Sequence, residues 1–150
     1  MSDSKGYRRK WFIGIGSAVL VLAMIAWPIA CRRADAWAGE VKCVNHMVSI
    51  CNAGAIFASD NEDVLPQTFF SMSNEVASPF ILICPSRGRS LEALPWDPDA
   101  DYYDYEIIAT NRTIRGGPVP FIRCKVHDDH VGYTDGRVFD GKRWRRKFPG

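Results

Sequence analysis

Residues 11–30 read WFIGIGSAVLVLAMIAWPIA, and residues 34–58 read ADAWAGEVKCVNHMVSICNAGAIFA. The first stretch carries no charged residue. As a helix it would be about 30 Å long, the thickness of a bilayer core. In the second stretch apolar residues recur every three or four positions, which places them on one side of a helix: Trp37, Val41, Val44, Val48, Cys51 and Ala55. We therefore predict a membrane helix that continues into a soluble domain and forms its spine.

Processing of the apolar run is an alternative to a permanent anchor. A cleaved signal peptide is disfavoured, because the run is long for one and no clean Ala-x-Ala site follows. A bacterial lipoprotein signal stays open, since Ala30 precedes Cys31 as lipidation of that cysteine requires, although Pro28 stands where a leucine-like residue is usual. Both remaining interpretations leave the domain tethered to a membrane, and we predict the inner membrane. We place the N-terminus inside, with a single pass and the C-terminal domain in the periplasm or outside the cell.

Charge is unevenly distributed along the 150 residues, although the net charge is only +2. Residues 34–141 hold sixteen acidic and eight basic side chains, whereas both chain ends are basic. An acidic domain body disfavours a nucleic-acid partner. The resulting division is a basic N-terminus (1–10), a transmembrane helix (11–30), an extracytoplasmic domain (31–141) and a basic tail (142–150).

The C-terminal half carries short strand signals. Apolar runs predict strands at 80–83, 105–109 and 118–124, and Pro118 and Pro120 favour an edge position for the last of these. Alternating apolar residues flank Asp135-Gly136, which predicts a β-hairpin with its turn at that pair. The second half of the helix should therefore pack on a sheet, in an α+β fold.

Two clusters could carry metal chemistry. Asp97, Asp99 and Asp101 offer oxygen ligands at alternating positions, as a calcium loop does, but Tyr102 stands where an EF-hand needs glycine. An acidic surface loop is the favoured interpretation, with calcium as the alternative. Cys124, His127 and His130 have a spacing that could hold zinc, yet no second ligand pair of known spacing completes the site. We therefore predict no cofactor and no catalytic residue, and a strand end before the hairpin is the favoured interpretation of this cluster.

Four short segments, taken in order, resemble bacterial type II secretion pseudopilin-like and type IV pilin-like proteins of planctomycetes and verrucomicrobia. They are Cys43–Ile50, Ser59–Pro66, Cys84-Pro85-Ser86, and the C-terminal Cys124, His127 and hairpin 131–138. The usual prepilin cleavage segment and the glutamate of the membrane helix are missing. The resemblance implies a long N-terminal helix packed on a small antiparallel sheet. It also implies a Cys84–Cys124 disulfide.

The function implied by the resemblance is non-enzymatic: a membrane-anchored component of a type II secretion or pilus-like assembly, with other pilin-like or secretion proteins as partners. An envelope lipoprotein or tethered ligand-binding module is the first alternative. A small envelope metal enzyme built on Cys124, His127 and His130 is the second.

Overall fold

The structure of this protein is a computed structural model. It describes the backbone of residues 4–88, 96, 102–110, 112–141 and 144–145, and the side chains of residues 22–88, 96, 102–110 and 112–141. Contacts between residues divide the chain into Met1–Ala38 and Gly39–Gly150. The predicted calcium loop at Asp97, Asp99 and Asp101 lies outside the described residues.

Helix α1 runs from Ser4 to Asp60 and contains Pro28. In the first unit its described large apolar side chains are exposed: Leu22, Met24, Ile25, Trp27, Ile29 and Trp37. None of the helices, as far as they are described, has the length and apolar character that crossing a bilayer needs.

This finding overturns several predictions. The prediction of a transmembrane helix at 11–30 is wrong, and so is the single-pass inner-membrane location with a periplasmic or external domain. Contact with a membrane through residues 11–30 stays a prediction. Cys31 lies exposed within α1, and its lipidation stays a prediction.

The second unit begins within α1, and this part of the helix buries one face: Cys43, Met47, Ile50, Cys51, Gly54 and Ala58. The buried face of the helix is therefore rotated about the helix axis relative to the predicted apolar stripe. Val44 and Cys51 are buried as predicted, but Trp37 is 61% exposed. The helix ends at Asp60 within the predicted polar turn, where Glu62 and Asp63 adopt positive φ angles of 56° and 65°.

Within the described part of the chain, five short strands form one antiparallel sheet in the order β1-β2-β3-β4-β5. They are β1 (Tyr105–Ile107), β2 (Pro120–Cys124), β3 (His130–Tyr133), β4 (Val138–Asp140) and β5 (Trp144–Arg145). The predicted hairpin is confirmed as β3 and β4, joined through Asp135 and Gly136, whose φ of 78° suits glycine. The structure thus confirms the α+β class, while the pilin-like assignment stays a prediction.

Two strand predictions need correction. Residues 80–83 belong mostly to a 3-10 helix, Pro79–Leu82, because Ser78 caps its N-terminus by accepting a hydrogen bond from the Phe80 N–H and Pro79 suits the first helical position. Strand β2 is not at an edge, since it pairs with both β1 and β3. The ladder tolerates Pro120 because it is the first residue of β2, next to a register shift.

Helix and sheet approach each other most closely at two glycines. A Cβ atom on Gly54 would lie less than 3.0 Å from the ring of Phe121 in β2, and one on Gly132 in β3 would lie 2.6 Å from the sulfur of Cys51. The missing side chains therefore let α1 lie directly on the sheet. This close approach brings the helix residue Cys43 to the end of β2.

Candidate metal centre

Four side chains from distant parts of the chain meet at the junction of helix and sheet. Cys43 belongs to α1, Cys84 follows the 3-10 helix Pro79–Leu82, Cys124 ends β2, and His127 lies in the loop before β3. Their sulfur and nitrogen atoms all lie within 4.8 Å of one another. The three cysteines are fully buried and His127 is partly buried. A Cys3His set of this kind could bind a metal ion.

Three distances within the cluster equal the edges of a tetrahedral zinc site. Zinc lies about 2.3 Å from sulfur and about 2.0–2.1 Å from nitrogen, so a regular tetrahedron has S···S edges of about 3.8 Å and S···N edges of about 3.6 Å. The Cys43 and Cys124 sulfurs are 3.7 Å apart. His127 Nδ1 lies 3.6 Å from the sulfur of Cys84 and 3.6 Å from that of Cys124.

Backbone N–H groups point at two of the sulfurs. The Ser86 N–H donates to Cys84, and the N–H groups of Val126 and His127 donate to Cys124. Both sets come from tight turns that directly follow the cysteines, one of which ends at Gly88 with a φ of 62°. Because such bonds stabilise a thiolate rather than a thiol, these turns favour the form of cysteine that binds metals.

The three thiols differ in pKa. Hydrogen bonds from Cys124 and then Cys43 lower the pKa of the Cys84 thiol, so Cys84 carries the negative charge most readily. The hydrogen bond with Cys124, followed by that with Cys84 and by burial, raises the pKa of Cys43. Three adjacent buried sulfurs cannot all ionise by themselves because like charges repel at this distance. A divalent cation would remove that obstacle.

Asp104 holds the Cys84 turn against the sheet. Its side chain is buried, with Oδ2 accepting the Cys84 N–H at 2.9 Å and Oδ1 paired with Arg87 at 3.1 Å. Its backbone N–H donates to Leu82 and its carbonyl accepts from Lys125, the residue after Cys124. One residue therefore fixes the spacing between Cys84 and Cys124.

Asp104→Asn is expected to lower the free energy of unfolding by about 1.5–3 kcal/mol, the value of a hydrogen bond to a charged group, because it weakens the Arg87 pair and the bond to Cys84. Denaturant unfolding measures the change. Asp63→Asn is the matched control, since its pair with Arg115 is exposed and should contribute less than about 1 kcal/mol. Equal losses of unfolding free energy in the two variants would contradict the role of Asp104 in holding the Cys84 turn against the sheet.

The predicted site residues meet different outcomes. His127 and Cys124 lie in the cluster, and Cys84 joins them. His130 lies beside it, with Nδ1 3.8 Å from the Cys43 sulfur. All five cysteines, each among the described residues, are free thiols in this structure. The Cys84–Cys124 disulfide stays a prediction. Cys43 was not predicted as a site residue, because it lies outside the predicted apolar stripe and no ligand spacing connects it to the other three residues.

Comparisons of the chain with protein-family models, with curated proteins and with solved structures found no match. They therefore lend no support to the terms pilin-like, pseudopilin and type II secretion, and the assembly role stays a prediction.

Proposed function

We propose that this protein binds one zinc ion through Cys43, Cys84, Cys124 and His127, and that the metal serves to hold the fold of residues 39–141 together. The observation that carries the proposal is that three buried cysteine sulfurs and a ring nitrogen of His127 all lie within 4.8 Å of one another. Three of their six separations, 3.7, 3.6 and 3.6 Å, equal the edges of a zinc tetrahedron.

The chemistry of the ligands favours zinc over harder cations. Thiolate and imidazole suit zinc and other borderline or soft metals, whereas calcium and magnesium take oxygen ligands. The sulfur-rich cluster is therefore a candidate site for zinc rather than for calcium. Cobalt(II) is a useful spectroscopic substitute because it accepts the same tetrahedral set.

The arrangement supports a structural rather than a catalytic metal. Catalytic zinc sites use three protein ligands and leave a fourth position for water or substrate, whereas structural sites are closed by four. Here four protein atoms complete the set, and the three sulfurs are fully buried. The ligands also join the helix, the Cys84 turn and the end of β2. The metal would therefore cross-link these three elements.

Metal binding and the predicted disulfide exclude each other. A Cys84–Cys124 disulfide would remove two of the four ligands, and the closeness of the sulfurs suits either outcome. Zinc binding and the disulfide can be distinguished in a single sample, because a zinc site protects three thiols from alkylation whereas a disulfide consumes two.

Native mass spectrometry of the reduced full chain tests the proposal. We expect one bound zinc per chain, with alkylation blocked at Cys43, Cys84 and Cys124 until a chelator is added. Cys31 is exposed and should react throughout. A chain without bound zinc, or peptide mapping that finds a Cys84–Cys124 disulfide in the purified protein, would contradict the proposal.

A further inference from the structure

His130 lies beside the metal centre at the start of β3 and is only 1% exposed. Its ring stacks on that of the ligand His127, with the centroids 4.6 Å apart and an interplanar angle of 21°. A buried imidazole beside a metal site needs a use for both ring nitrogens, because an unpaired buried polar atom is costly.

The two nitrogens of His130 face different groups. Nδ1 lies 3.8 Å from the Cys43 sulfur, within reach of an N–H···S hydrogen bond. Nε2 lies 3.7 Å from a carboxylate oxygen of Glu40 and 4.0 Å from one of Asp129. Both carboxylate distances are longer than a direct hydrogen bond. The contact with Cys43 is therefore the one that engages the metal centre.

Geometry separates His130 from the ligands. His127 Nδ1 approaches two sulfurs at 3.6 Å each and belongs to the group whose atoms all lie within 4.8 Å of one another. His130 is outside that group. It therefore suits a donor to one sulfur better than a fourth ligand.

Cys43 is the sulfur that most needs such a donor. Cys84 and Cys124 receive backbone N–H groups from the turns that follow them. Cys43 lies inside α1, where backbone N–H groups are used within the helix. The Tyr105 hydroxyl already donates to its sulfur at 3.4 Å. A second side-chain donor would give Cys43 the support that the other two cysteines obtain from backbone.

We propose that His130 is a positioning residue of the zinc site, whose Nδ1–H donates to the Cys43 thiolate and stabilises it as a metal ligand. This inference rests on the proposed zinc site. Loss of a group that donates a hydrogen bond to a metal ligand typically lowers metal affinity by about 10–100-fold.

Four variants of the full chain test the role: His130→Leu, His130→Asn, Glu40→Gln and His127→Leu. Zinc affinity is measured by chelator competition and coordination by cobalt(II) absorption. His130→Leu should lower zinc affinity by about 10–100-fold while keeping the tetrahedral cobalt bands. Its sulfur-to-cobalt charge-transfer band should move to longer wavelength, because a thiolate without its hydrogen bond gives up an electron more easily. His130→Asn, which can place an N–H near the position of Nδ1, should restore part of both changes. Glu40→Gln, which leaves the Cys43 contact in place, is expected to bind zinc as the parent chain does.

The readouts distinguish a donor from a ligand and from a packing residue. Wild-type affinity and an unshifted band in His130→Leu would overturn the inference. So would loss of the tetrahedral bands in His130→Leu together with their retention in His127→Leu, since His130 would then be the ligand. A parent chain that binds neither metal would overturn both this inference and the proposed function. The first outcome leaves the proposed function intact, and the second leaves zinc binding intact but replaces His127 as its nitrogen ligand.

Discussion

Replacing Cys124 by alanine is expected to abolish specific zinc binding and to lower the melting temperature of the zinc-loaded full chain by more than about 10 °C. A metal at a thousand times its dissociation constant stabilises the folded state by about 4 kcal/mol. In a small domain each kcal/mol corresponds to several degrees of melting temperature. Differential scanning fluorimetry, with zinc and with a chelator, measures the difference.

Cys51→Ala is the matched control for this variant. Cys51 is as fully buried as Cys124, but its sulfur lies outside the cluster. Its loss should lower stability through packing alone, and the chelator should still lower the melting temperature of this variant. Equal stabilisation of Cys124→Ala and Cys51→Ala by zinc would contradict the assignment of Cys124 as a zinc ligand.

Replacing Gly54 by leucine is expected to lower the free energy of unfolding by about 3 kcal/mol or more. Leucine is a better helix former than glycine, so helix propensity alone would stabilise the variant by roughly 1 kcal/mol. A Cβ at this position, however, would lie less than 3.0 Å from the Phe121 ring. Helix and sheet would have to separate, and overpacking of this kind is costly. Chemical denaturation measures the change.

Ser49→Leu provides the comparison, because Ser49 is an exposed residue of the same helix. Its effect should stay within about 0.5 kcal/mol, as for most surface substitutions. A Gly54→Leu chain as stable as Ser49→Leu would show that α1 does not lie on β2 at this point. Because Cys43 reaches Cys124 through the same packing, we also expect Gly54→Leu to weaken zinc binding.

Local signals in the sequence predicted local structure well. The Asp135-Gly136 pair predicts the hairpin because the turn itself requires a residue such as glycine at positive φ. The polar residues after Ala58 likewise mark the end of α1 at Asp60. Residues 80–83 are ambiguous, since a short apolar run suits a buried 3-10 turn as well as a strand. There, the caps at Ser78 and Pro79 decide the outcome.

The metal centre could be predicted only in part. Cys124 and His127 are three residues apart, so their spacing indicates a shared site. Cys43 and Cys84 lie 81 and 40 residues before Cys124, and no local pattern connects positions so far apart. Tertiary packing alone brings them together, through the close approach of helix and sheet at Gly54 and the hydrogen bond from the Cys84 N–H to Asp104. The resemblance paired Cys84 with Cys124 as a disulfide, and the structure places the same two sulfurs in a candidate metal site.

X-ray absorption at the zinc edge of the purified, reduced full chain tests the zinc site most directly. We expect one zinc with three sulfur neighbours at about 2.3 Å and one nitrogen neighbour at about 2.0–2.1 Å. His127→Leu should lose the nitrogen neighbour and keep the sulfurs. A shell of oxygen neighbours alone, or a chain that retains no zinc, would contradict the proposed zinc site.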